Sequence, residues 1–477
     1  MPKNPTSESE TSKIRRFETG ATGGFATTRP TAAMPGGTTG RFLVLLREGA
    51  TDEGATTIEK RTGKKLTAAT KALSTLGIES EQRPEGILFE TLGVAVVESP
   101  PEEIQGVMAE AAGESSPILH VEPERYVYAL AAPTLVPAPL EEEEPVLPAQ
   151  PAATPFEYLL GYRDAVNHMV ARVIDRSGAV EELEGIPVTA ALTETQFTWG
   201  LQVTRVPSSH FSGKGVRVAI LDTGMDLGHP DFAGRNIVSQ SFIAGQPVQD
   251  GHGHGTHCIG TSCGPRQPGI LPRYGIAFNA EIHVGKVLNN QGSGTDAQIL
   301  AGIEWAIRNK CAVVSMSLGA PAQLGQPFSP VFEHVGRRSL AAGTLIIAAA
   351  GNDSQRPQDI EPVSHPANCP SIMAVAALNR NIHVSFFSNG GLNPNGGQVD
   401  IAAPGRNVRS SWPRPMMYNT ISGTSMATPH VAGIAALLAE AHPQARGLAL
   451  WTLVTQHARH LASPSRDVGA GLVQAPQ

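Results

Sequence analysis

The chain has 477 residues, of which 41% are hydrophobic and 17% are charged, a composition typical of a globular enzyme rather than of a disordered or fibrous protein. Its length predicts two or three folding units. The formal charge is -7, and the part predicted to fold has no lysine- and arginine-rich run, which argues against a nucleic-acid partner.

The first 131 residues divide into an arm and a small domain. Residues 1–40 are rich in serine, threonine, glycine and proline, which predicts a disordered arm. The patterns that follow predict a strand at 41–48, one or two strands at 87–99 and a strand at 118–130, with helices at 56–66 and 100–112. Strand, helix and strand, twice over, predict an α+β domain of the ferredoxin-like kind at 41–131.

Residues 132–195 are predicted to connect this domain to the rest of the chain. Frequent prolines and a run of four glutamates at 132–155 indicate a stiff, solvated linker, and we favour a tether over a binding site. Apolar residues then recur at helical spacing from Phe156 to Ile174. This pattern predicts an amphipathic helix that packs on a neighbour rather than binding a cofactor.

Residues 196–477 have the pattern of an α/β domain. Five apolar runs are continuous rather than alternating, at 216–224, 282–288, 312–318, 344–352 and 371–378. Strands that are covered on both faces have this composition, as in a parallel sheet between layers of helices. Helices are predicted between or after them at 297–310, 331–343 and 426–441. The fold class predicted is therefore α/β, with a doubly wound and mainly parallel sheet.

The cysteines and the search for targeting signals argue against several classes of protein. The four cysteines are too few for a disulfide scaffold and are not spaced as paired zinc knuckles, so we expect buried thiols at Cys258, Cys263, Cys311 and Cys369. No stretch approaches the ~20 apolar residues of a membrane span. The N-terminus lacks the apolar core of a signal peptide, which predicts synthesis in the cytoplasm and leaves export by a non-classical route open.

Three polar residues fall where a parallel sheet binds its ligands, beyond the carboxyl ends of strands. Asp222 ends an apolar strand, His254 lies in the glycine-rich run DGHGHGTH, and Ser425 lies at the start of a helix, where free N–H groups favour an anionic oxygen. Each has a simpler interpretation, because Asp222 and Ser425 could be caps. The histidines His252, His254 and His257 could bind a metal, although their spacing is not that of the common zinc motifs.

Taken together, these residues carry a family resemblance. LDTG around Asp222, HGTHCIGT beginning at His254 and SGTSMATPHVAG around Ser425 resemble the three signature blocks of the subtilisin-like serine proteases, in the same order. Asn352 in AAAGND matches the oxyanion-hole asparagine of that family, and VGAGLVQA at 468–475 resembles its C-terminal stretch. The resemblance covers about residue 196 to the end.

The resemblance implies a serine endopeptidase. Ser425 would be the nucleophile, His254 the base and Asp222 the residue that orients it, and Asn352 would stabilise the oxyanion with the Ser425 backbone N–H. Two motifs match the strands that line the substrate cleft, with the residues Gly292, Ser293, Gly294, Ser317, Leu318 and Gly319. No cofactor is required. A structural Ca²⁺ stays open but has no support in the sequence, because residues 261–278 lack the asparagine-bearing loop with which many subtilisins hold it.

The resemblance also assigns roles to residues around the site. His257 and His430 would be structural, and Ser422 and Thr424 would support the turn before the nucleophile. Cys258 follows the histidine block as in the thiol-bearing, proteinase K-like branch, which predicts inhibition by mercurials.

The presumed S1 pocket gains polar character from residues 364–368 and from Asp353. The bond between His365 and Pro366 falls where the family often has a cis proline.

The domain at 41–131 resembles the inhibitory propeptide of the family, which lays its last strand in the cleft. A segment near Tyr126–Leu130 would then occupy the substrate-binding strands by strand addition. The long linker leaves open where processing occurs and whether it occurs. A separate protein inhibitor is an alternative source of restraint.

Two other functions compete with the protease. An α/β-hydrolase esterase would need GxSxG with the acid and histidine after the serine, whereas here the motif is GTSMA and the partners precede it. A constitutively inhibited or non-catalytic regulator with the same fold stays open, although every residue of the catalytic set is present.

Overall fold

The computed structural model describes residues 37–71, 84–111, 113, 115–130 and 193–477. Nearly all of the predicted arm at 1–40 lies outside the described residues. The same holds for the predicted linker and amphipathic helix at 132–195, of which only the last three residues are described.

The described residues form the following strands and helices. The strands are β1 (Thr38–Leu46), β2 (Leu66–Ala68), β3 (Gly86–Phe89), β4 (Val94–Glu98), β5 (Ile118–Ala129), β6 (Arg217–Asp222), β7 (Ile237–Ser241), β8 (Glu281–Lys286), β9 (Ser293–Thr295), β10 (Val313–Met316), β11 (Leu318–Gly319), β12 (Leu345–Ala349), β13 (Met373–Leu378), β14 (Ile401–Pro404), β15 (Val408–Ser411) and β16 (Tyr418–Ile421). The helices are α1 (Thr51–Thr62), α2 (Pro101–Ala111), α3 (Trp199–Val203), α4 (His254–Cys263), α5 (Asp296–Arg308), α6 (Pro330–Ala341), α7 (Thr424–Ala441), α8 (Leu448–Gln456) and α9 (Ser465–Val468). Short 3-10 turns occur at Val206–Ser208 and Pro230–Phe232.

The N-terminal strands form a sheet in the order β5-β1-β4-β3-β2, in which only the β2–β3 pair is parallel. Helices α1 and α2 contact each other, and their apolar residues Ile58 and Val107 pack with Val44 and Val97 of the sheet in one buried cluster. The strand order β5-β1-β4-β3 is that of a ferredoxin-like sheet.

The predicted bounds of the first helix are wrong at both ends. The helix predicted at 56–66 is α1, which starts five residues earlier and ends four residues earlier. Asp52 and Glu53 in its first turn favour the earlier start, since acidic side chains stabilise a helix N-terminus. Gly63 ends the helix in the left-handed conformation, with φ of 65°. Leu66 then begins β2.

The C-terminal part is built on a parallel sheet of seven strands in the order β14-β13-β12-β10-β6-β8-β7. Alternate residues of β6 face opposite layers. Ala219 and Leu221 pack in the cluster that includes α5 and α6, whereas Val218 and Ile220 pack in the cluster that includes α4 and α7. Helices therefore cover both faces, which is the doubly wound α/β arrangement that the continuous apolar runs predict.

Strand β5 also pairs outside its own sheet. It is antiparallel to β9, with Val127 opposite Gly294, and to β11, with Ala129 opposite Leu318. The pairing expected for the segment near Tyr126–Leu130 is thus present. The described residues belong to one compact unit.

Three smaller expectations can be compared with the structure. The four cysteines are free and buried, as predicted. The bond between His365 and Pro366 is cis. Among the described residues, no helix has both the length and the apolar composition needed to cross a membrane.

Candidate active site

Asp222 and His254 meet at the carboxyl end of the parallel sheet. Asp222 is the last residue of β6, and His254 is the first residue of α4. The Nδ1 atom of His254 lies 2.8 Å from Oδ1 of Asp222, and both side chains are only 1% exposed. Gly253 precedes the helix with φ of 103°, where a Cβ atom would fall 2.4 Å from the Trp412 ring. Only glycine fits this close approach.

A second carboxylate, Asp250, holds the turn that carries His254. Its Oδ1 atom accepts hydrogen bonds from the backbone N–H groups of His252 at 2.9 Å and Gly253 at 2.8 Å, and Oδ2 accepts one from Thr256 at 2.9 Å. The sequence reasoning missed Asp250. Its position before a glycine-rich helix start is the available signal, since aspartate is favoured as a helix cap.

The charge of Asp222 decides the protonation of His254. Burial disfavours the imidazolium, but the neighbouring Asp222 carboxylate outweighs burial and holds the pKa of His254 well above its usual value. The other ring nitrogen, Nε2, is buried and has no hydrogen-bond partner among the described residues. A basic nitrogen is therefore available on the side of the ring opposite Asp222.

Ser425 lies in the first turn of α7 and is fully buried. Its hydroxyl donates a hydrogen bond to the backbone carbonyl of Ser317 at 3.0 Å, and the Ser317 hydroxyl donates to the Ser425 carbonyl at 2.8 Å. This reciprocal pair ties the start of α7 to the segment between β10 and β11.

Asn352 follows β12, and its amide is oriented by the residue before Ser425. The Oδ1 atom of Asn352 accepts hydrogen bonds from the Thr424 N–H at 2.8 Å and from the Thr424 hydroxyl at 3.0 Å. The Nδ2 atom is thereby left to donate elsewhere, and it donates to the backbone carbonyl of Leu130 at 2.5 Å.

The six residues predicted to line the cleft lie on either side of the segment that ends at Leu130. The Ala129 N–H donates to the Gly292 carbonyl at 2.9 Å, and the Leu130 N–H donates to the Ser317 carbonyl at 3.2 Å. Ser293 and Gly294 of β9 and Leu318 and Gly319 of β11 provide the β-pairing on the two sides. The segment therefore lies as the middle strand between β9 and β11.

The remaining histidines have structural partners. His257 shares a hydrogen bond with the Val408 carbonyl at 3.0 Å, and burial lowers its pKa to about 3. His430 bonds the Met426 carbonyl at 2.8 Å within α7, and burial lowers its pKa to about 4. Both are neutral at pH 7, which agrees with the packing roles expected for them.

The hydroxyls of Thr424 and Ser422 also support the turn before Ser425. Thr424 holds Asn352, and Ser422 accepts a hydrogen bond from the Asn407 N–H at 2.9 Å.

Cys258 lies beneath His254, one turn along α4. Its Sγ atom is 3.9 Å from His254 Nδ1 and donates to the Ser425 carbonyl at 3.6 Å. Burial raises the pKa of this thiol. Asp222, His254 and Cys258 are the one group of potential metal ligands found in the described part of the chain, with ligand atoms within 4.8 Å of one another. The grouping does not include His252 or His257.

The stretch expected to lack a calcium loop has a carboxylate beside it, Asp231. That carboxylate accepts hydrogen bonds from the Tyr274 hydroxyl at 2.5 Å, the Tyr418 hydroxyl at 3.1 Å and the Gly269 N–H at 2.8 Å. Three hydrogen-bond donors surround it, whereas a calcium ion requires six to eight oxygen ligands. The residues around Asp231 therefore do not fit a Ca²⁺ site.

Comparison with known proteins gives a consistent assignment for the C-terminal part. Residues 213–471 match the family described as the subtilase family. Subtilisin Savinase of Lederbergia lenta is 38% identical over 282 residues, which cover 58% of this chain and 96% of that protein. A thermostable alkaline protease of Halalkalibacterium halodurans is 38% identical, covering 61% and 76%. Subtilisin E of Bacillus subtilis is 36% identical, covering 56% and 69%.

Proposed function

Because this chain belongs to the subtilase family and is a serine-type endopeptidase, we propose that Asp222, His254 and Ser425 form its catalytic triad. The observation that carries the proposal is the hydrogen bond from Asn352 Nδ2 to the Leu130 carbonyl. It brings a peptide carbonyl to an amide donor next to the nucleophile, at the end of a segment bound as a strand between β9 and β11.

The reaction begins with a proton transfer. Ser425 turns its hydroxyl from the Ser317 carbonyl towards His254 Nε2, whose partner position is free among the described residues. Nε2 takes the hydroxyl proton as Oγ bonds to the substrate carbonyl carbon, and it then gives that proton to the leaving amine as the C–N bond breaks. In the second half of the reaction, water gives a proton to Nε2 as it attacks the acyl carbon. Nε2 then returns that proton to Ser425 Oγ as the acid product leaves. Asp222 orients the ring and stabilises the imidazolium.

The tetrahedral intermediate carries its charge on the former carbonyl oxygen. The Asn352 amide and the Ser425 backbone N–H at the start of α7 donate to that oxygen. Removing one such donor costs on the order of 100–1,000-fold in rate. No step in this sequence requires a metal or an organic cofactor.

We also propose that the N-terminal sheet restrains the enzyme by occupying its cleft. Glu122 and Glu124 of β5 support this role because they reach the starts of two helices that cover the parallel sheet, α6 and α5. Glu122 accepts a hydrogen bond from the Ser329 hydroxyl at the start of α6, and Glu124 accepts one from the Ala297 N–H in α5 at 3.0 Å. Cleavage of the bond that follows Leu130 would separate the restraint from the enzyme.

The test compares the wild-type chain with Ser425→Ala by intact mass and casein hydrolysis. We expect the wild type to lose the chain up to Leu130 and to hydrolyse casein, and Ser425→Ala to keep its full mass and be inactive. Ser208→Ala is the matched control, since that hydroxyl is exposed and donates to Gln477, and it should behave like the wild type. Equal activity in Ser425→Ala would refute the mechanism.

The same measurement distinguishes the proposed protease from an alternative function. Because β5 of the same chain pairs with both β9 and β11, a constitutively inhibited regulator is the second candidate. It predicts a full-length, inactive wild type. Activity with a full-length mass would instead mean that the N-terminal sheet is not removed by cleavage.

A further inference from the structure

Beyond the residues nearest the candidate active site, the cleft makes a charged contact with Arg125. Counting back from Leu130, Arg125 is the sixth residue before the bond that cleavage would break. Its backbone N–H donates to Oδ2 of Asp296 at 3.0 Å, and its Nη1 atom donates to the same oxygen at 3.3 Å. The carboxylate thus contacts both the main chain and the side chain of this residue.

Asp296 is fixed in a buried position. It is the first residue of α5 and is fully buried. Its Oδ1 atom lies 3.1 Å from Nε2 of His365, and the His365 ring packs edge-on against Phe332 at 4.7 Å between centroids. Among the described residues, the hydrogen bonds to Oδ2 come from Arg125 alone. If β5 left the cleft, this oxygen would lose both of its donors.

We propose that Asp296, oriented by His365, is a subsite that selects an arginine or lysine six residues before the cleaved bond. The inference rests on the proposed function, because it assumes that a substrate follows the path of β5. That path is set by main-chain pairing with β9 and β11, which does not depend on the side chains of the bound segment. Without β5, Oδ2 of Asp296 would have no hydrogen-bond donor among the described residues, while Oδ1 would keep His365. A substrate on the same path would restore both donors to Oδ2, through its backbone N–H and its cation.

Neighbouring positions make the selection specific to one residue. Tyr126, one residue nearer the cleaved bond, is 41% exposed, whereas Val127 is fully buried. A cation at the position of Tyr126 therefore points towards solvent rather than to Asp296. Glu122 also contacts the Arg125 guanidinium, at 3.2 Å, but it belongs to β5 itself and would be absent for a separate substrate. The gain for a substrate is accordingly smaller than the full contact of Arg125.

The test uses the full chain, incubated until its casein activity is constant, and three internally quenched peptides. The first has the sequence of residues 125–133, RYVYALAAP. The second has alanine in place of its arginine, and the third has that alanine with the arginine moved to the next position. We expect the first peptide to exceed both others in kcat/KM by about five- to tenfold, the range of a partly solvated charge pair.

In Asp296→Asn, the ratio of kcat/KM for the first peptide to that for the other two should fall to about 1–2, because only an uncharged hydrogen bond would be left. Asp296→Ser provides a second variant that is compatible with a helix start. Asp359→Asn removes the same charge from an exposed position and should keep the wild-type ratio. Ratios are compared within one preparation, so the fraction of molecules with an open cleft cancels. Mass spectrometry of the products checks that all peptides are cut after leucine.

The outcomes separate the two proposals. A wild-type ratio near 1, or an unchanged ratio in both Asp296 variants, would overturn the subsite while the cleavage itself upholds the protease. If the Asp296 variants lost kcat/KM equally for all three peptides, Asp296 would have a purely structural role, and the subsite proposal would also be overturned. If Ser425→Ala cleaved the peptides as fast as the wild type, the proposed mechanism would fail, and the subsite with it.

Discussion

The Nδ2 atom of Asn352 lies 2.5 Å from the backbone carbonyl oxygen of Leu130. Because Thr424 occupies Oδ1 of the same amide with two hydrogen bonds, the amide has one orientation in which all of these contacts are made. Thr424 immediately precedes Ser425, so a single turn positions both the proposed nucleophile and the amide that faces the Leu130 carbonyl. The Leu130 carbonyl thus accepts a hydrogen bond from the amide that the proposed mechanism assigns to the oxyanion.

Changes at Asn352 should lower the rate of the chemical step. Asn352→Ala removes the donor, and Asn352→Asp keeps the acceptor for Thr424 but also removes the donor. We expect each to reduce kcat by on the order of 100–1,000-fold, with a much smaller change in KM, because the bond is strongest in the transition state. Steady-state kinetics on a peptide substrate measure both values. If KM rose and kcat did not change, Asn352 would instead contribute to binding of the ground state.

The pH dependence should follow the His254–Asp222 pair. Only neutral His254 can take the serine proton, so activity is present above its pKa and is lost as the pH falls through it. Since Asp222 raises that pKa, we expect the acid limb of kcat/KM above pH 6.5 in the wild type. Asp222→Asn should move the limb to lower pH and reduce kcat by about 10,000-fold.

His257→Gln provides the control for this profile. The pKa of His257 is about 3, so its ring is neutral throughout the measured range and cannot produce the limb. The limb should stay in place when this histidine is replaced. A limb that moved with His257 rather than with Asp222 would contradict the assignment of the base.

Much of this architecture could be predicted from local patterns. The continuous apolar runs predicted the parallel strands, because strands covered on both faces need apolar residues at successive positions. The triad candidates could be found because Asp222, His254 and Ser425 each lie in a distinctive short motif at the end of a strand or the start of a helix. Their proximity follows from sheet topology, since the carboxyl ends of parallel strands lie along one edge.

The contacts that local patterns could not predict join distant segments. Arg125 and Asp296 are 171 residues apart, and neither lies in a motif that indicates its partner. The Ser425 hydroxyl bonds to a backbone carbonyl 108 residues away, and backbone carbonyls have no sequence signal. The start of α1 was also misplaced: the prediction begins the helix at Thr56 and leaves out the first turn, where Asp52 and Glu53 favour a helix N-terminus.

Mercurials should inhibit the enzyme through Cys258. A mercury ion bound to Sγ would lie next to His254 Nδ1, which is 3.9 Å from the sulfur, and would disturb its bond to Asp222. Inhibition should develop slowly, because burial raises the thiol pKa and the thiolate is the reactive form. Cys258→Ala should be resistant, whereas Cys311→Ala, which removes a buried thiol elsewhere, should stay sensitive. Equal sensitivity of the two variants would rule out this route.

Asp400 should make stability depend on pH, independently of catalysis. Burial raises its pKa to about 7, while the Ala374 N–H donates to Oδ2 at 2.7 Å. The unfolded chain ionises near the ordinary value of 3.8, so this carboxyl lowers the free energy of unfolding progressively as pH rises from about 4 to 7, and the loss is complete above 7. Asp400→Asn keeps an acceptor for Ala374 and removes the charge.

We therefore expect Asp400→Asn to raise the free energy of unfolding by about 1–2 kcal/mol at pH 8, less than the full shift would give because the side chain is only partly buried. At pH 4 the two proteins should unfold alike. Both are measured by urea unfolding in the Ser425→Ala background, which prevents self-digestion. Asp359→Asn, at an exposed position, serves as the charge control. An equal stabilisation at pH 4 and pH 8 would show that the Asp400→Asn substitution acts through packing rather than through removal of the ionised carboxylate.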